Sequence, residues 1–507
     1  MSDQPRPQPR VLPSRPNLRH LKLEAKRRLA AGEFTTLHDS QLAIAREHGH
    51  SSWAALKRLI ESQPHSASHA LDQVRWLVTR FAGADGPGWV APDPGELREH
   101  FDDHFLTAIP AEQLVSTITG QAGVLGQELT VTVETPQHAQ AQIGGLQIEA
   151  ATEPEAPHRL AMLRVFPIGG RVTDPRVAAP SSRELGGVPA VAHAAADRAL
   201  AELGLPGLVL AGHGSGDRDG AGWVLARGWA DLDRGQPMRP DHQVPAYSIT
   251  KLVTATTVLR LAGDGWLGLD DPANEHLRTV RLADGAVTVR DLLRHTGGVD
   301  SPAELFGPAV PDLRALTGPV IGCHGERGVF AYSNAGYAML GQLIADVCGA
   351  PHPEVTARLV LDPLGMNQSF FPARWPEPGQ NAVTGHRLEP DGVFRAEADE
   401  ICTLPAAGGL WSTATDLVRF GRAWHKLLPV GLAREALRPQ ATRADTGVQV
   451  GFGWHINSGR GVAGHAGGGQ GGASSLIVTD GGRVHVALTN RLIPVEPVNA
   501  KVLRAMG

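Results

Sequence analysis

The segment from Val244 to Gly265, VPAYSITKLVTATTVLRLAGDG, constrains this chain more than any other. Leu252, Ala255, Leu259 and Ala262 recur at helical spacing, which predicts a buried helix from about Ser248 to Ala262. Lys251 sits inside that apolar pattern, and it is one of only six lysines in the chain. Burial disfavours the charged form of a lysine, so its basicity falls in the interior. Ser248 precedes it by three residues, which places both on one helix face. The start of a helix also offers unpaired N–H groups and the positive end of its dipole. A serine hydroxyl is a weak nucleophile and needs a neighbouring base. The pair can therefore supply an activated hydroxyl beside an anion site. The plain alternative is a capped helix with a solvated lysine, because a pattern as short as Ser-x-x-Lys arises about once by chance in a chain this long.

Two further segments carry chemistry. Phe330 to Gly336 reads FAYSNAG, with Tyr332 and Asn334 just before a predicted helix over Ala335–Cys348 that stops at Gly349. The chain has three tyrosines, so the match does not come from their abundance. A phenol beside a lysine can act as a general base, and Asn334 offers an amide that can bind a carbonyl or hold Lys251. A helix cap with a buried tyrosine is the equal alternative. Gly464 to Gly472 reads GHAGGGQGG, followed by two apolar runs around Asp480-Gly481-Gly482. Those runs predict a hairpin, and His465 to Gly468 would lead into its first strand. Glycines there let a ligand approach the backbone.

Composition excludes several classes. The 507 residues carry Lys+Arg 47 against Asp+Glu 52, so no charge excess points to nucleic acid or to an anionic membrane. No apolar run of about 18 residues predicts a membrane helix, and the N-terminus has no apolar signal region, which points to a cytoplasmic protein. Cys323, Cys348 and Cys402 are odd in number and form no C-x-x-C pair, so neither a disulfide framework nor a thiolate metal site is expected. No H-E-x-x-H occurs among 22 histidines.

The predicted organisation has four parts. Residues 1–15 are a Pro- and Arg-rich disordered tail. Residues 16–63 form a small helical module of three helices, the first stopped by Gly32, the second capped by Asp39 or Ser40, the third capped by Ser51 or Ser52. Its basic cluster, Arg19, Lys22, Lys26, Arg27 and Arg28, reads as a solvated face rather than a DNA-binding one. A linker over 64–70 leads to an α+β accessory domain over 71–170. That domain is predicted to have helices over Val74–Phe81, Pro94–Phe105 and Ala111–Ile118. Its strands are predicted over Leu129–Glu134, Ala139–Ala150 with a bend at Gly144-Gly145, and Arg159–Phe166. A second linker over 169–185 precedes one large domain over 186–507.

The order Ser-x-x-Lys, Tyr-x-Asn, His-Ala-Gly-Gly resembles the penicillin-recognising serine hydrolases, in particular the group of class C β-lactamases, D,D-peptidases and esterases. DGWLGLDDPANEHL, LLRHTGGV, LDPLGM and AAGGLWSTATDLVRFGRAW also match that group's habit, so the resemblance covers roughly residues 190–495. It implies an antiparallel sheet flanked by helices, with a helical lobe inserted between Ser248 and Tyr332 and beyond. It implies Ser248 as the acylated nucleophile, Lys251 and Tyr332 as the proton-transfer groups, and Asn334 as the group orienting Lys251 and substrate. The N–H groups of Ser248 and Gly468 would form the oxyanion hole. The stretch Phe101–Leu114, FDDHFLTAIPAEQL, resembles a ketosteroid-isomerase-like domain fused to some actinobacterial hydrolases; Asp103 and His104 read as ordinary surface residues of such a domain, with a place facing a pocket as the alternative. The helical module looks like a short piece found before catalytic domains in such proteins.

His465 stands where the family often has lysine. Histidine is mostly neutral at pH 7, whereas an ammonium would hold a substrate carboxylate. The expected function is therefore a serine hydrolase acting on a small ester or amide, with water as acceptor and with no metal or organic cofactor. The alternatives are a β-lactamase or D,D-peptidase, and a non-catalytic small-molecule-binding protein. Oligomeric state stays open. His295 in His-Thr-Gly-Gly reads as a structural turn, Gly212–Gly216 as a hairpin loop, and Trp411 as pocket wall or core.

Overall fold

A computed structural model of the chain describes residues 25–29, 32–47, 52–53, 68–82, 84, 89–109, 111–119, 125, 129–134, 137–143, 146–153, 156–167, 172–178, 180–213, 222–299, 306–323, 325–375, 381–389, 391–443 and 447–506. Contacts divide the chain into two units, Met1–His69 and Ala70–Gly507.

In the first unit residues 25–29 are helical and α1 spans Leu37–Glu47. Its cap is Thr36, not Asp39 or Ser40. The Thr36 hydroxyl accepts the Asp39 N–H at 3.1 Å and donates to the Asp39 carboxylate at 2.6 Å. Ser40 is buried and donates to the Ala25 carbonyl at 2.9 Å, which joins the two helices instead. Arg28 pairs with Glu47 at 2.6 Å, while Lys26 and Arg27 are exposed. The tail, Arg19 and Lys22, and nearly all of the third predicted helix lie outside the described residues.

Helix α2 (His69–Phe81) runs from the last residue of the first unit into the second, and it starts five residues before the helix expected over Val74–Phe81. Then come α3 (Pro94–His100), α4 (Asp103–Ala108) and α5 (Ala111–Thr119). The single helix expected over Pro94–Phe105 is two. Phe101 is extended and bridges to Leu160, and the Asp102 carboxylate then caps α4 by accepting the Phe105 N–H. Strands β1 (Leu129–Glu134), β2 (His138–Ile143), β3 (Leu146–Thr152) and β4 (Leu160–Pro167) form an antiparallel sheet in chain order. The one bent strand expected over Ala139–Ala150 is thus a pair, with Ile143 opposite Leu146. Ala141, Ile143, Ile148 and Ala150 alternate inward onto Val74, Leu77, Phe81 and Phe101. The Asp103 side chain is exposed, in line with the surface reading, and meets Arg159 at 3.4 Å. The side chain of His104 lies outside the described residues.

The stretch expected to be a linker over 169–185 is structured where it is described. Asp174 is buried, binds Arg176 at 2.6 Å, and accepts the Phe394 N–H at 3.0 Å. The hydrogen bonds from Arg176 hold its carboxyl down to about 2. Strand β5 (Ser182–Leu185) then pairs with β7 (Trp223–Asp231), so the large domain begins before residue 186.

Helix α6 (Ala190–Leu203) leads into β6 (Gly207–His213), and β8 (Gln236–Pro237) follows β7. The C-terminal part adds β9 (Ala441–Thr442), β10 (Gln449–Val450), β11 (His455–Asn457), β12 (Val462–Gly469), β13 (Gly472–Thr479) and β14 (Val484–Thr489). These strands form one antiparallel sheet in the order β9-β10-β11-β12-β13-β14-β6-β7-β5, with β8 on β7. His465–Gly468 is a strand of this sheet rather than the lead into the hairpin, because β12 pairs along its length with β13. β6 and β7 form the expected hairpin.

Side-chain alternation gives the sheet two buried faces. Leu208, Leu210, Trp223 and Ala487 pack on α6 and α10 (Glu496–Ala505). Val209, Ala211, Leu476, Val486 and Leu488 pack on the larger helical layer. That layer contains α7 (Thr250–Gly263), α8 (Asn334–Cys348) and α9 (Ala414–Ala423). The chain is therefore α+β here, an antiparallel sheet flanked by helices. Among the described residues no helix is long and apolar enough to cross a membrane.

Candidate active site

Helix α7 is buried nearly all round, which a sequence can sustain only if its polar groups are bonded. Thr256 and Thr257 donate to the carbonyls of Leu252 and Val253, four residues back, and Thr254 donates to Ala406. Lys251 shows no exposed surface. Its Nζ donates to Ser248 Oγ at 3.1 Å, Asn334 Oδ1 at 2.8 Å and the Ala407 carbonyl at 2.8 Å. All three N–H bonds of an ammonium are matched.

Ser248 lies in a single 3₁₀ turn, Tyr247–Ile249, just ahead of α7, and its side chain is half-buried. The helix starts two residues later than expected. The reason is Tyr247, whose φ of 45° is left-handed, a conformation that costs a non-glycine residue about 1–3 kcal/mol. The turn aims Ser248 at the end of α8. There the Tyr332 hydroxyl donates to Ser248 Oγ at 2.9 Å. Ser333 caps α8 by accepting the Gly336 N–H at 2.9 Å, and this cap fixes Tyr332 and Asn334 on either side of it. Lys251 Nζ also lies 4.9 Å from the centre of the Tyr332 ring.

His295 belongs to this site, although its sequence context suggested only a turn. It is buried, has φ 59°, and stacks on Tyr332 with ring centres 4.5 Å apart. Its Nδ1 accepts the Ser333 N–H at 3.1 Å, so the ring proton sits on Nε2. Burial, then Lys251, hold the imidazole well below its ordinary value, in the neutral form. The available signal in the sequence was His295-Thr296-Gly297-Gly298 just after Leu292-Leu293-Arg294.

His465 lies on β12 with its ring centre 6.3 Å from that of Tyr332 and 4.4 Å from that of His455. Its Nδ1–H donates to the Ala466 carbonyl at 2.6 Å, which leaves Nε2 as a buried lone pair. Burial first, then His455 and Lys251, push its protonation well below the usual range. The position therefore presents a neutral acceptor and not a cation.

Gly467, which sequence reasoning passed over in favour of Gly468, makes the closest backbone approach to the turn. A Cβ at Gly467 would lie 2.5 Å from Ser248 N and 2.6 Å from Tyr247 Cβ. At Gly468 the nearest atoms would be Leu492 Cδ1 at 3.0 Å and the Gly472 carbonyl oxygen at 3.8 Å. Trp411 is buried at 3% exposure and, with Tyr247, Phe306 and Trp375, walls a cavity of about 20 Å³. A separate cavity of about 550 Å³ runs along β10–β13, with His455 and His465 in its wall but not Ser248, Lys251 or Tyr332. The structure thus brings together Ser248, Lys251, Tyr332 and Asn334 by direct hydrogen bonds. His465 and Gly468 lie on the neighbouring strand.

Known proteins share this architecture. The chain is 31% identical to esterase EstB of Burkholderia gladioli over 309 residues, 51% of this chain and 76% of that one. It is 27% identical to PbpX of Bacillus subtilis over 203 residues, 39% of this chain, and spans only about half the length of that relative, 51%. A D-stereospecific amidohydrolase from a Streptomyces species superposes with a TM-score of 0.50 at 25% identity, over 63% of this chain and 98% of that one. Residues 192–505, well over half of the sequence, match the Beta-lactamase family, and the chain belongs to that family.

Proposed function

We propose that this chain is a serine hydrolase that forms an acyl-enzyme on Ser248 and acts on a small, uncharged ester or amide. The observation that carries this reading is the convergence on Ser248 Oγ of the Tyr332 hydroxyl at 2.9 Å and Lys251 Nζ at 3.1 Å. In acylation the Ser248 Oγ–carbon bond forms and the bond from that carbon to the departing oxygen or nitrogen breaks. The Ser248 proton passes to the Tyr332 oxygen as Tyr332 gives its own proton to the departing atom, and the Lys251 N–H groups stabilise the charge that develops along this route. Water then attacks the acyl carbon by the same proton route in reverse and releases the acid. Asn334 keeps the Lys251 ammonium aimed at Ser248. The N–H groups of Ser248 and Gly468 receive the carbonyl oxygen as it gains charge.

The neutral His465 favours substrates without a carboxylate at that position, since no cation stands there to bind one. The relative named an esterase and the neighbour named an amidohydrolase agree with ester or amide chemistry. The test is intact-mass measurement after incubation with a fluorophosphonate and, separately, with a penicillin, beside Ser248→Ala. A fluorophosphonate adduct that disappears in Ser248→Ala is the expected result. A lasting penicillin adduct, or rapid penicillin turnover, would move the substrate to β-lactams. No adduct with either reagent and no turnover would overturn the hydrolase reading and leave a binding protein.

A further inference from the structure

The proposed chemistry makes no use of Tyr247, yet this residue ties the turn that carries Ser248 to the β12–β13 turn. It is buried, it precedes the nucleophile, and it holds a left-handed backbone that tyrosine rarely adopts. Its hydroxyl donates to the Gln470 carbonyl at 2.8 Å, in the turn between β12 and β13. Three glycines of the Gly464–Gly472 stretch abut this residue. A Cβ at Gly469 would lie 2.3 Å from Phe306 Cζ and 2.6 Å from Tyr247 Cε1, one at Gly472 2.8 Å from the phenol oxygen, and one at Gly467 2.5 Å from Ser248 N and 2.6 Å from Tyr247 Cβ. Gly469 and Gly472 let the ring lie on the strand pair, and Gly467 lets the backbone of its turn approach β12.

The residue before Tyr247 is fixed as well. The Ala246 N–H donates to the Leu410 carbonyl at 2.8 Å, and the Ala246 carbonyl accepts from Ser474 Oγ at 2.7 Å. Ser248 N then sits within 2.5 Å of the point a Gly467 Cβ would occupy. A glycine at 247 would adopt the same φ without strain, but it would leave the nucleophile turn untied from the β12–β13 turn. We infer that Tyr247 is a positioning residue whose ring and hydroxyl, clamped on the glycine-rich strand pair, hold the Ser248 backbone N–H in register with β12 so that both can stabilise a developing oxyanion. This rests on the reading of Ser248 as nucleophile.

The test uses Tyr247→Phe, which keeps the ring and removes the tie to Gln470, and Gly469→Ala, which crowds the rings of Phe306 and Tyr247. Steady-state rates on an aryl ester are measured with inhibition by phenylboronic acid, whose serine adduct is tetrahedral. Thermal midpoints are recorded in parallel. The expected result for both variants is a fall in kcat of about tenfold or more, with KM within about twofold and boronate affinity falling in step with kcat/KM. A lower midpoint with unchanged kcat and unchanged boronate affinity would overturn the positioning role and leave Tyr247 as packing. If Gly469→Ala fails to fold, Tyr247→Phe decides alone. A wild-type protein that neither turns over the ester nor takes a fluorophosphonate overturns the underlying hydrolase reading, and the positioning role falls with it. A labelled wild type with indifferent Tyr247→Phe overturns only the latter.

Discussion

The imidazole of His295 lies against the phenol of Tyr332, with ring centres 4.5 Å apart and planes 26° apart, while its Nδ1 holds the backbone N–H of the next residue, Ser333. One buried side chain thus fixes both the plane of the phenol and the backbone that carries it. His295→Phe keeps a stacking ring but removes the Nδ1 that accepts the Ser333 N–H, a hydrogen bond of a kind that contributes about 0.5–1.5 kcal/mol. His295→Asn keeps an acceptor, tolerates the left-handed backbone, and loses ring contact. Phe is therefore expected to be the less stable variant in urea denaturation. Both are expected to hydrolyse more slowly than wild type, since neither holds Tyr332 from both sides. Equal stability of the two would show that the Ser333 bond is not what His295 contributes.

Lys251 sits at the centre of the hydrogen bonds around Ser248. Lys251→Met preserves length and apolar packing but removes three donors at once, to Ser248, Asn334 and Ala407. Proton transfer by a placed side chain contributes about 10²–10⁴ in rate. The fluorophosphonate labelling rate of Ser248 is expected to fall by a factor in that range in the folded variant. Labelling within about twofold of wild type would remove Lys251 from the proton route.

Much of this was legible in the sequence because short motifs and strong periodicity carried it. The apolar repeat of α7 placed Lys251 in a buried helix, and the apolar run up to Cys348 placed Tyr332 and Asn334 at the start of α8. What escaped depends on contacts between distant segments. Gly467, Gly469 and Gly472 read as room for a ligand because the residue they abut, Tyr247, lies more than 200 positions away. Residues 169–185 read as a linker because a short exposed edge strand such as β5 has little hydrophobic pattern of its own. Phe101–Asp102 broke a predicted helix because the bridge to Leu160 and the Asp102 cap outweigh local helical propensity.

His352 offers a pH test remote from the reaction. The imidazole is buried, neither nitrogen has a partner among the described residues, and burial lowers its pKa to about 3. Above about pH 6.5 the ring is neutral in both folded and unfolded chains. Between about 6.5 and 3 only the unfolded chain takes up the proton, so stability falls as pH drops through that window. His352→Leu removes this proton linkage. The stability difference between variant and wild type is expected to shift toward the variant by roughly 2 kcal/mol between pH 7 and pH 5 in urea denaturation. At pH 7 the variant is expected to match or exceed wild type, because an apolar side chain leaves no buried nitrogen unbonded. A difference that stays constant across that pH range would show that His352 takes up its proton in the folded chain.

Gly467 tests the approach of strand to nucleophile directly. A Cβ there would lie 2.5 Å from Ser248 N, 2.6 Å from Tyr247 Cβ and 2.9 Å from Ser474 Oγ. The first two of these belong to the nucleophile turn, and Ser474 Oγ is bonded to the Ala246 carbonyl just before it, so relief requires β12 and the turn to move apart. Displacement of a reacting group by about 1 Å can cost about 100-fold in rate. Gly467→Ala is therefore expected to lower kcat/KM for an ester by about that factor. Gly464 also lies on β12, but a Cβ there would meet the backbone of β13, nearest the Leu476 carbonyl, so Gly464→Ala should disturb the sheet without moving Ser248. A comparable loss of midpoint in the two variants, with a loss of rate confined to Gly467→Ala, would separate the strand's role at the nucleophile from its role in the sheet. Equal losses of rate would mean that the close approach at Gly467 matters only for folding.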